Sequence, residues 1–436
     1  MEITESEIFD RVEPTYARAL GTKNGVVEFV GIEQFAPESP DGVDLVSSVV
    51  SDASPVVGTE APDIKAGGKG ESVTDAMNAA FGETMERYCY LFPPPDALEY
   101  ASYEEMRDRG RTVDYEYIDI YDRESLEEHR AGFDRQTELP WVEGTDLVTG
   151  NGVYLPAERV WQRTGVLADI DTHLPGTSNG LAAGPSLRYS LVNSMYEVVE
   201  RDGVMAAWYR QQTPASIETS SLAGRCPEVH EYVTQKLEND ALSVHLFDCD
   251  TFVDVPTVGA AATFGEDEFP AFVHGSGSHL DPAKTIRQAA TEAAQGLPYV
   301  YHLLLDRGTT EVPPDVQDSF ESNVLHYSSP RRSDDLRFYF EGPEKDVDDV
   351  YPSAEYPSVD GLSVDEQYET LVRAFADAGA TPIAFELTTR DAARLGIRVT
   401  KVVVPELVPI GSQVVPPTEH PRIEDDVATK RPHPLP

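Results

Sequence analysis

Cysteine is nearly missing from this chain: Cys89, Cys226 and Cys249 are the only three in 436 residues. They are odd in number and far apart, which excludes a disulfide framework and leaves no zinc-binding spacing, so each reads as a small buried apolar residue. Positive charge is scarce too. Against 77 Asp and Glu stand 34 Lys and Arg, few of them lysine, for a net charge of −43. A chain this short of basic surface excludes sequence-independent binding to nucleic acid. Long apolar runs are also missing: no eighteen-residue hydrophobic stretch occurs, and the start, Met1-Glu2-Ile3-Thr4-Glu5-Ser6-Glu7, is acidic and unlike a signal sequence. The expectation is a soluble, cytoplasmic protein with no membrane partner.

What is present is acid, spread along the whole chain without gathering into a tail. That distribution resembles proteins adapted to molar salt, where a Debye length of about 3 Å screens self-repulsion. The charge is then a sign of habitat before it is a sign of function. Hydrophobic residues make up 40% of the sequence, enough for a substantial core in one large domain or two to three ordinary ones.

Within this acidic background one pattern occurs twice. Gly67-Gly68-Lys69-Gly70-Glu71-Ser72 leads into an alanine-rich helical stretch ending Glu83-Thr84-Met85-Glu86-Arg87. Ser178-Asn179-Gly180-Leu181-Ala182-Ala183-Gly184 leads into a second, ending Glu197-Val198-Val199-Glu200-Arg201. Positions i and i+3 share a helical face, so each helix presents two carboxylates to one point. Chance alone supplies about a dozen acidic i, i+3 pairs in so acidic a chain, and a Glu followed four residues later by Arg is an ordinary surface pair. The surroundings distinguish these copies: Ala76, Met77, Ala80, Phe81 and Met85 flank the first, and Leu191, Val192, Met195, Val198 and Val199 the second. Desolvated carboxylates about 5 Å apart repel by roughly 3 kcal/mol at an effective dielectric of 20. Four of them converging, Glu83, Glu86, Glu197 and Glu200, suit a hard divalent cation.

Period and punctuation predict a helix near Glu5–Leu20, a strand near Val26–Val30, loop or strand pieces through Leu45–Val50, and the first motif helix over Ser72–Leu91. A charged helix over Tyr103–Arg109 and a strand at Gly152–Pro156 follow, then the second motif helix over Ser186–Gln211. Strands are expected at Ser243–Asp248, Thr257–Thr263 and Phe269–Gly275, and a third long helix over Pro282–Leu305, its proline marking the first turn. Residues 306–365, rich in Pro, Asp and Ser, read as a loop-rich excursion with one helix or none. Helix Val364–Ala378, strand Thr381–Leu387, helix Asp391–Leu395 and strand Arg398–Val404 complete the order. The alternation predicts an α/β (α+β) fold with mixed sheets and long core helices carrying the glutamate pairs. Three regions are expected: a strand/helix region at 1–60, a core at 61–415 and a Pro-rich tail at 416–436.

These landmarks resemble the YcaO family over roughly residues 60–436. The two motifs above occur in the family's order. Gly275-Ser276-Gly277-Ser278-His279-Leu280-Asp281-Pro282, followed by Ala289-Ala290-Thr291-Glu292-Ala293-Ala294-Gln295, looks like the third landmark, and Lys401-Val402-Val403-Val404-Pro405 is similar to the late core strand. The resemblance implies ATP and Mg2+, the cations held by Glu83, Glu86, Glu197 and Glu200, with Asn193 and Gln295 at the nucleotide. Lys69 is the candidate phosphate contact. Two positions depart from the family pattern: Ala79 replaces a serine, and Gln288 stands where an arginine is usual, with Arg287 one residue earlier and about 100° around the helix. The ending Arg431-Pro432-His433-Pro434-Leu435-Pro436 is similar to members that form azolines, which implies a catalytic Pro436 whose carboxylate acts as acid or base.

The implied reaction is ATP-dependent O-phosphorylation of a backbone amide, leading to cyclodehydration of Cys, Ser or Thr. Thioamide formation with a TfuA-type partner is an alternative, as is a non-catalytic nucleotide-binding accessory protein. A peptide or protein substrate, a leader-binding partner and a homodimer are further implications. His173, His274 and His279 read as packed or loop histidines.

Overall fold

Glycine-rich strands and alanine-rich helices lie against each other throughout this molecule, and that packing builds the site. The structure is a computed structural model that describes residues 18–21, 25–32, 40, 42–62, 64–168, 170–264, 270–307, 320–359, 361–412 and 414–435. Most of the helix expected near Glu5–Leu20 falls on residues 1–17, outside the described residues.

Strands β1 (Val27–Ile32), β2 (Asp44–Val50) and β3 (Lys65–Gly70) come first, followed by helix α1 (Val73–Tyr90). Strands β4 (Glu99–Ala101), β5 (Leu139–Asp146), β6 (Gly152–Pro156) and β7 (Leu181–Gly184) lead to α2 (Leu187–Arg210). Then come β8 (Ser216–Ile217), β9 (Ser243–Asp248), β10 (Thr257–Thr263), β11 (Phe272–Ser278) and α3 (Pro282–Arg307). Helix α4 (Phe320–Tyr327), β12 (Glu344–Lys345), α5 (Val364–Ala378), β13 (Ile383–Glu386) and β14 (Arg398–Val403) finish the order.

The strands form three sheets: β1-β2-β3; β4-β5-β13-β14-β7, with β6 on β5; and β11-β10-β9-β8-β12. The fold is mixed α and β, as expected. Serines set the helix starts: the Ser72 and Ser186 side chains each accept a backbone N–H at 3.2 Å, from Asp75 and Tyr189. Helix α1 packs on β2 and β3 and reaches β7; α2 lies between β7, β14 and β11; α3 covers β10 and β11 and reaches β3. Helix α2 is buried on almost every side, from Leu191 to Tyr209, which accounts for its lack of a clear polar stripe.

Both glycine-rich lead-ins are strands, β3 and β7. The reason for glycine is proximity. A Cβ on Gly68 would stand 2.0 Å from the Ala76 carbonyl oxygen, and one on Gly275 would stand 2.2 Å from the Ala293 nitrogen. Bare backbone thus lets α1 and α3 settle directly onto their strands.

The excursion expected over residues 306–365 is a correction. It carries α4, a short helix at Val347–Val350 and strand β12. Val324, Leu325, Tyr327, Leu336, Tyr339 and Val347 are buried, so apolar packing overrides a local composition rich in loop formers. Strand β5 gave no expectation of its own, though buried Trp141 and Val142 place it inside the largest core cluster.

Candidate active site

Each of the four glutamates is tied to a strand or to its own helix. On α1, Glu83 accepts the Gly67 N–H of β3 at 3.0 Å and pairs with Arg87, while Glu86 accepts the Ala183 N–H of β7 at 2.8 Å. On α2, Glu197 lies near the Gly180 backbone and pairs with Arg201 at 4.0 Å, and Glu200 accepts the Ser276 hydroxyl of β11 at 2.7 Å and the Arg201 guanidinium at 3.0 Å. Elements of all three sheets thus surround one acidic center.

Its electrostatics are those of crowded, desolvated acid. Burial first, and then the charge of Glu197, push Glu86 up to about 8. Burial raises Glu197 to about 7 against the pull of Arg201, and burial with Glu292 also raises Glu200. These carboxylates resist ionizing together, and cations would relieve them. Hard oxygen donors under like-charge stress fit a Mg2+-type ion. Among the described residues no three Asp, Glu, His or Cys side chains converge to metal-ligand distance; each carboxylate turns instead to the donor named above.

Glu292 was missed in the sequence. Its carboxylate accepts a 2.7 Å bond from Lys69 Nζ and is largely buried. Burial works to raise its pKa, but Lys69 and Arg201 prevail and hold it below the ordinary value. A signal existed: Glu292 and Gln295 repeat the i, i+3 spacing of the other two helices. Gln295 Oε1 is buried with no hydrogen-bond partner, an acceptor left over beside this acid.

The remaining candidates are placed less centrally. Asn193 Nδ2 donates to the Tyr189 carbonyl of its own helix at 2.9 Å. Arg287 pairs with Glu71 and lies over the Tyr232 ring at 4.1 Å. Ala79 and Gln288, the two departures from the family pattern, are exposed.

His173 and His279 are packed, the first with its ring against the Ala131 carbonyl at 3.1 Å and the second stacked on Tyr196 at 4.6 Å. His274 is different. It shares a strand face with Ser276, is 2% exposed, and has both ring nitrogens buried without partners. Burial holds it neutral, down to about 4, with Glu292 and Arg201 in electrostatic reach.

The Pro-rich ending is threaded into the molecule as far as it is described. Trp208 Nε1 donates to the Arg431 carbonyl at 2.9 Å, Tyr327 Oη to Pro432 at 2.7 Å and Asn323 Nδ2 to His433 at 3.3 Å. His433 and Leu435 are fully buried. Pro436 lies outside the described residues. His433 lies near the Gly411 backbone and within electrostatic reach of Arg201 and His274; burial pushes it down to about 3.

A pH dependence follows. His433 is neutral in the fold but binds a proton near pH 6.5 when unfolded, so the stability it supports is complete above 6.5 and declines as pH falls toward its folded value. Stability at pH 4.5 should therefore be about 3 kcal/mol below that at pH 7 from this group alone. Urea unfolding across that range should show a shallower slope for His433→Gln; an unchanged slope would refute the assignment.

Comparison with known proteins identifies the family. The profile of the family described as YcaO cyclodehydratase, ATP- and Mg2+-binding, matches residues 67–408, and the chain belongs to that family. ATP and Mg2+ are accordingly its ligands. An uncharacterized protein of Methanothermobacter thermautotrophicus is 25% identical over 392 residues, covering 89% of this chain and 92% of that one. An uncharacterized protein from the tfuA 3' region of Rhizobium leguminosarum bv. trifolii is 28% identical over 242 residues, covering 52% and 53%.

Among solved structures, YcaO from Methanopyrus kandleri bound with AMPPCP and Mg2+ is similar in fold, with a TM-score of 0.61, 23% identity, and coverage of 93% of this chain and 90% of that one. A heterocyclase in complex with substrate and cofactor has a TM-score of 0.70 at 19% identity, covering 99% of this chain and 57% of its own. No helix among the described residues is long and apolar enough to cross a membrane.

Proposed function

We propose that this chain uses ATP to O-phosphorylate a backbone amide, and that the product is an azoline made by cyclodehydration of Cys, Ser or Thr in a peptide or protein. The observation that carries this reading is the pair of helices, α1 and α2, whose buried Glu86 and Glu197 repel each other within one acidic center. In the reaction the substrate side chain attacks the preceding carbonyl carbon and loses its proton. The resulting oxyanion takes the γ-phosphoryl group, releasing ADP. Expulsion of phosphate, with loss of the amide proton, then closes the C=N bond of the ring.

Mg2+ held by Glu83, Glu86, Glu197 and Glu200 would neutralize phosphate charge and align the transfer. The chain's own residues position the reactants. Lys69 and Arg201 offset negative charge beside Glu292 and Glu200. Gln295 offers a free acceptor, and Asn193 and Arg287 are the outer candidates for the nucleotide. Pro436, the next residue in sequence after Leu435, is the candidate acid/base carboxylate. The proposal includes a cytoplasmic setting and a homodimer.

The test is incubation of the protein with ATP, Mg2+ and a set of Cys-, Ser- and Thr-containing peptides, followed by mass spectrometry and phosphate assay. Loss of one water per phosphate released is the expected result. The tfuA-region relative favors a second reading, thioamide formation with a TfuA-type partner. Exchange of oxygen for sulfur when sulfide and that partner are supplied would select it. Nucleotide binding without phosphate release in either assay would leave the accessory role.

A further inference from the structure

The molecule has more than twice as many acidic as basic residues, yet a buried lysine and a half-buried arginine line one cavity with no carboxylate in ion-pair contact among the described residues. Lys401 on β14 is 1% exposed; its Nζ donates to the Thr177 carbonyl and lies 4.6 Å over the Tyr90 ring. Arg159, in the turn after β6, has its Nη1 fully buried with no hydrogen-bond partner. The Tyr121 ring, 5.5 Å away, is its aromatic neighbor. Glu197 is within electrostatic reach of Lys401, but no carboxylate among the described residues stands at ion-pair distance from either cation. Burial, and then the neighboring Arg159, push Lys401 down to about 7, so the pair resists holding both charges, and an anion between them would keep both protonated.

The cavity itself limits what that anion is. Its volume is about 20 Å³, room for an occupant about the size of a water molecule. Val198, Leu407 and Val408 form an apolar wall that cannot solvate a larger hydrated ion. Asn179 completes the lining with a buried Oδ1 that has no partner; turning the amide over would present its NH2 as a third donor.

We propose that the cavity between Arg159 and Lys401, which adjoins the Glu197 side of the acidic center, is a binding site for a small monatomic anion, chloride in the cell. The bound ion bridges the turn after β6 to β14 and fixes the segment from Thr177 to Asn179 that leads into β7.

The test is thermal unfolding of the full chain at constant potassium concentration, with chloride or bromide replacing gluconate. Halide should raise the midpoint in a saturable way by about 2 °C or more relative to gluconate. Arg159→Gln and Lys401→Met should each lose that halide-specific increment while keeping the general effect of salt. Crystals of the unmodified protein grown in bromide should show an anomalous peak between the two side chains, a measurement that stands even if a variant does not fold. An equal halide increment in both folded variants, or the absence of a bromide peak from the cavity, overturns the proposal.

Discussion

Glu83→Ala and Glu200→Ala should each lose about 100-fold or more in Mg-ATP affinity while remaining folded. The expectation rests on position. Glu83 and Glu200 are the outer members of their pairs, one bonded to β3 and the other to β11, and both face the acidic center holding Glu86 and Glu197. Their removal leaves Arg87 partly exposed and Arg201 still beside Glu197 and Glu292, so neither substitution strands a cation in the core. Calorimetric titration of Mg-ATP in molar KCl, with circular dichroism to confirm folding, measures both parts of the expectation. Wild-type affinity in both variants would sink the site assignment.

The second large effect concerns the buried ending. Leu435→Ala should lower stability by about 3 kcal/mol, because Leu435 is fully buried in the cluster formed with Trp208, Tyr209 and Tyr327. Removing Pro434–Pro436 takes away the same apolar anchor together with the candidate acid/base group. If the ending serves catalysis, that truncation should reduce turnover far more than nucleotide affinity at a temperature where the protein stays folded. Equal losses in both would assign the segment to stability alone, and Leu435→Ala would then reproduce the whole effect.

Much of this molecule was legible in its sequence because its longest elements carry strong local signals. The strands expected at Ser243–Asp248 and Thr257–Thr263 have those bounds in the structure, and Ser-initiated, apolar-faced stretches gave α1 and α2. Strand β7 was not legible, since Leu181-Ala182-Ala183-Gly184 has neither alternation nor branched residues; its pairing with β14 makes it a strand. The two glutamate pairs were visible as spacing, but Glu292 was not singled out, because its role depends on Lys69, 223 residues earlier in the chain. Nor could spacing reveal Arg159 and Lys401 sharing a cavity, which depends on how β6, β7 and β14 meet.

That 223-residue separation between Lys69 and Glu292 also bears on how the protein is made. At a synthesis rate of about 5–20 residues per second, β3 and α1 leave the ribosome some ten seconds or more before α3 arrives to supply the carboxylate that Lys69 pairs with. During that interval the glycine-bare surface of β3 and the apolar face of α1 wait for long-range partners. Non-local closure of this kind is slow and exposes adhesive surface. Heterologous expression should therefore depend on chaperone supply and translation speed more than on codon-level details near the start, and slower synthesis at low temperature should raise the soluble yield.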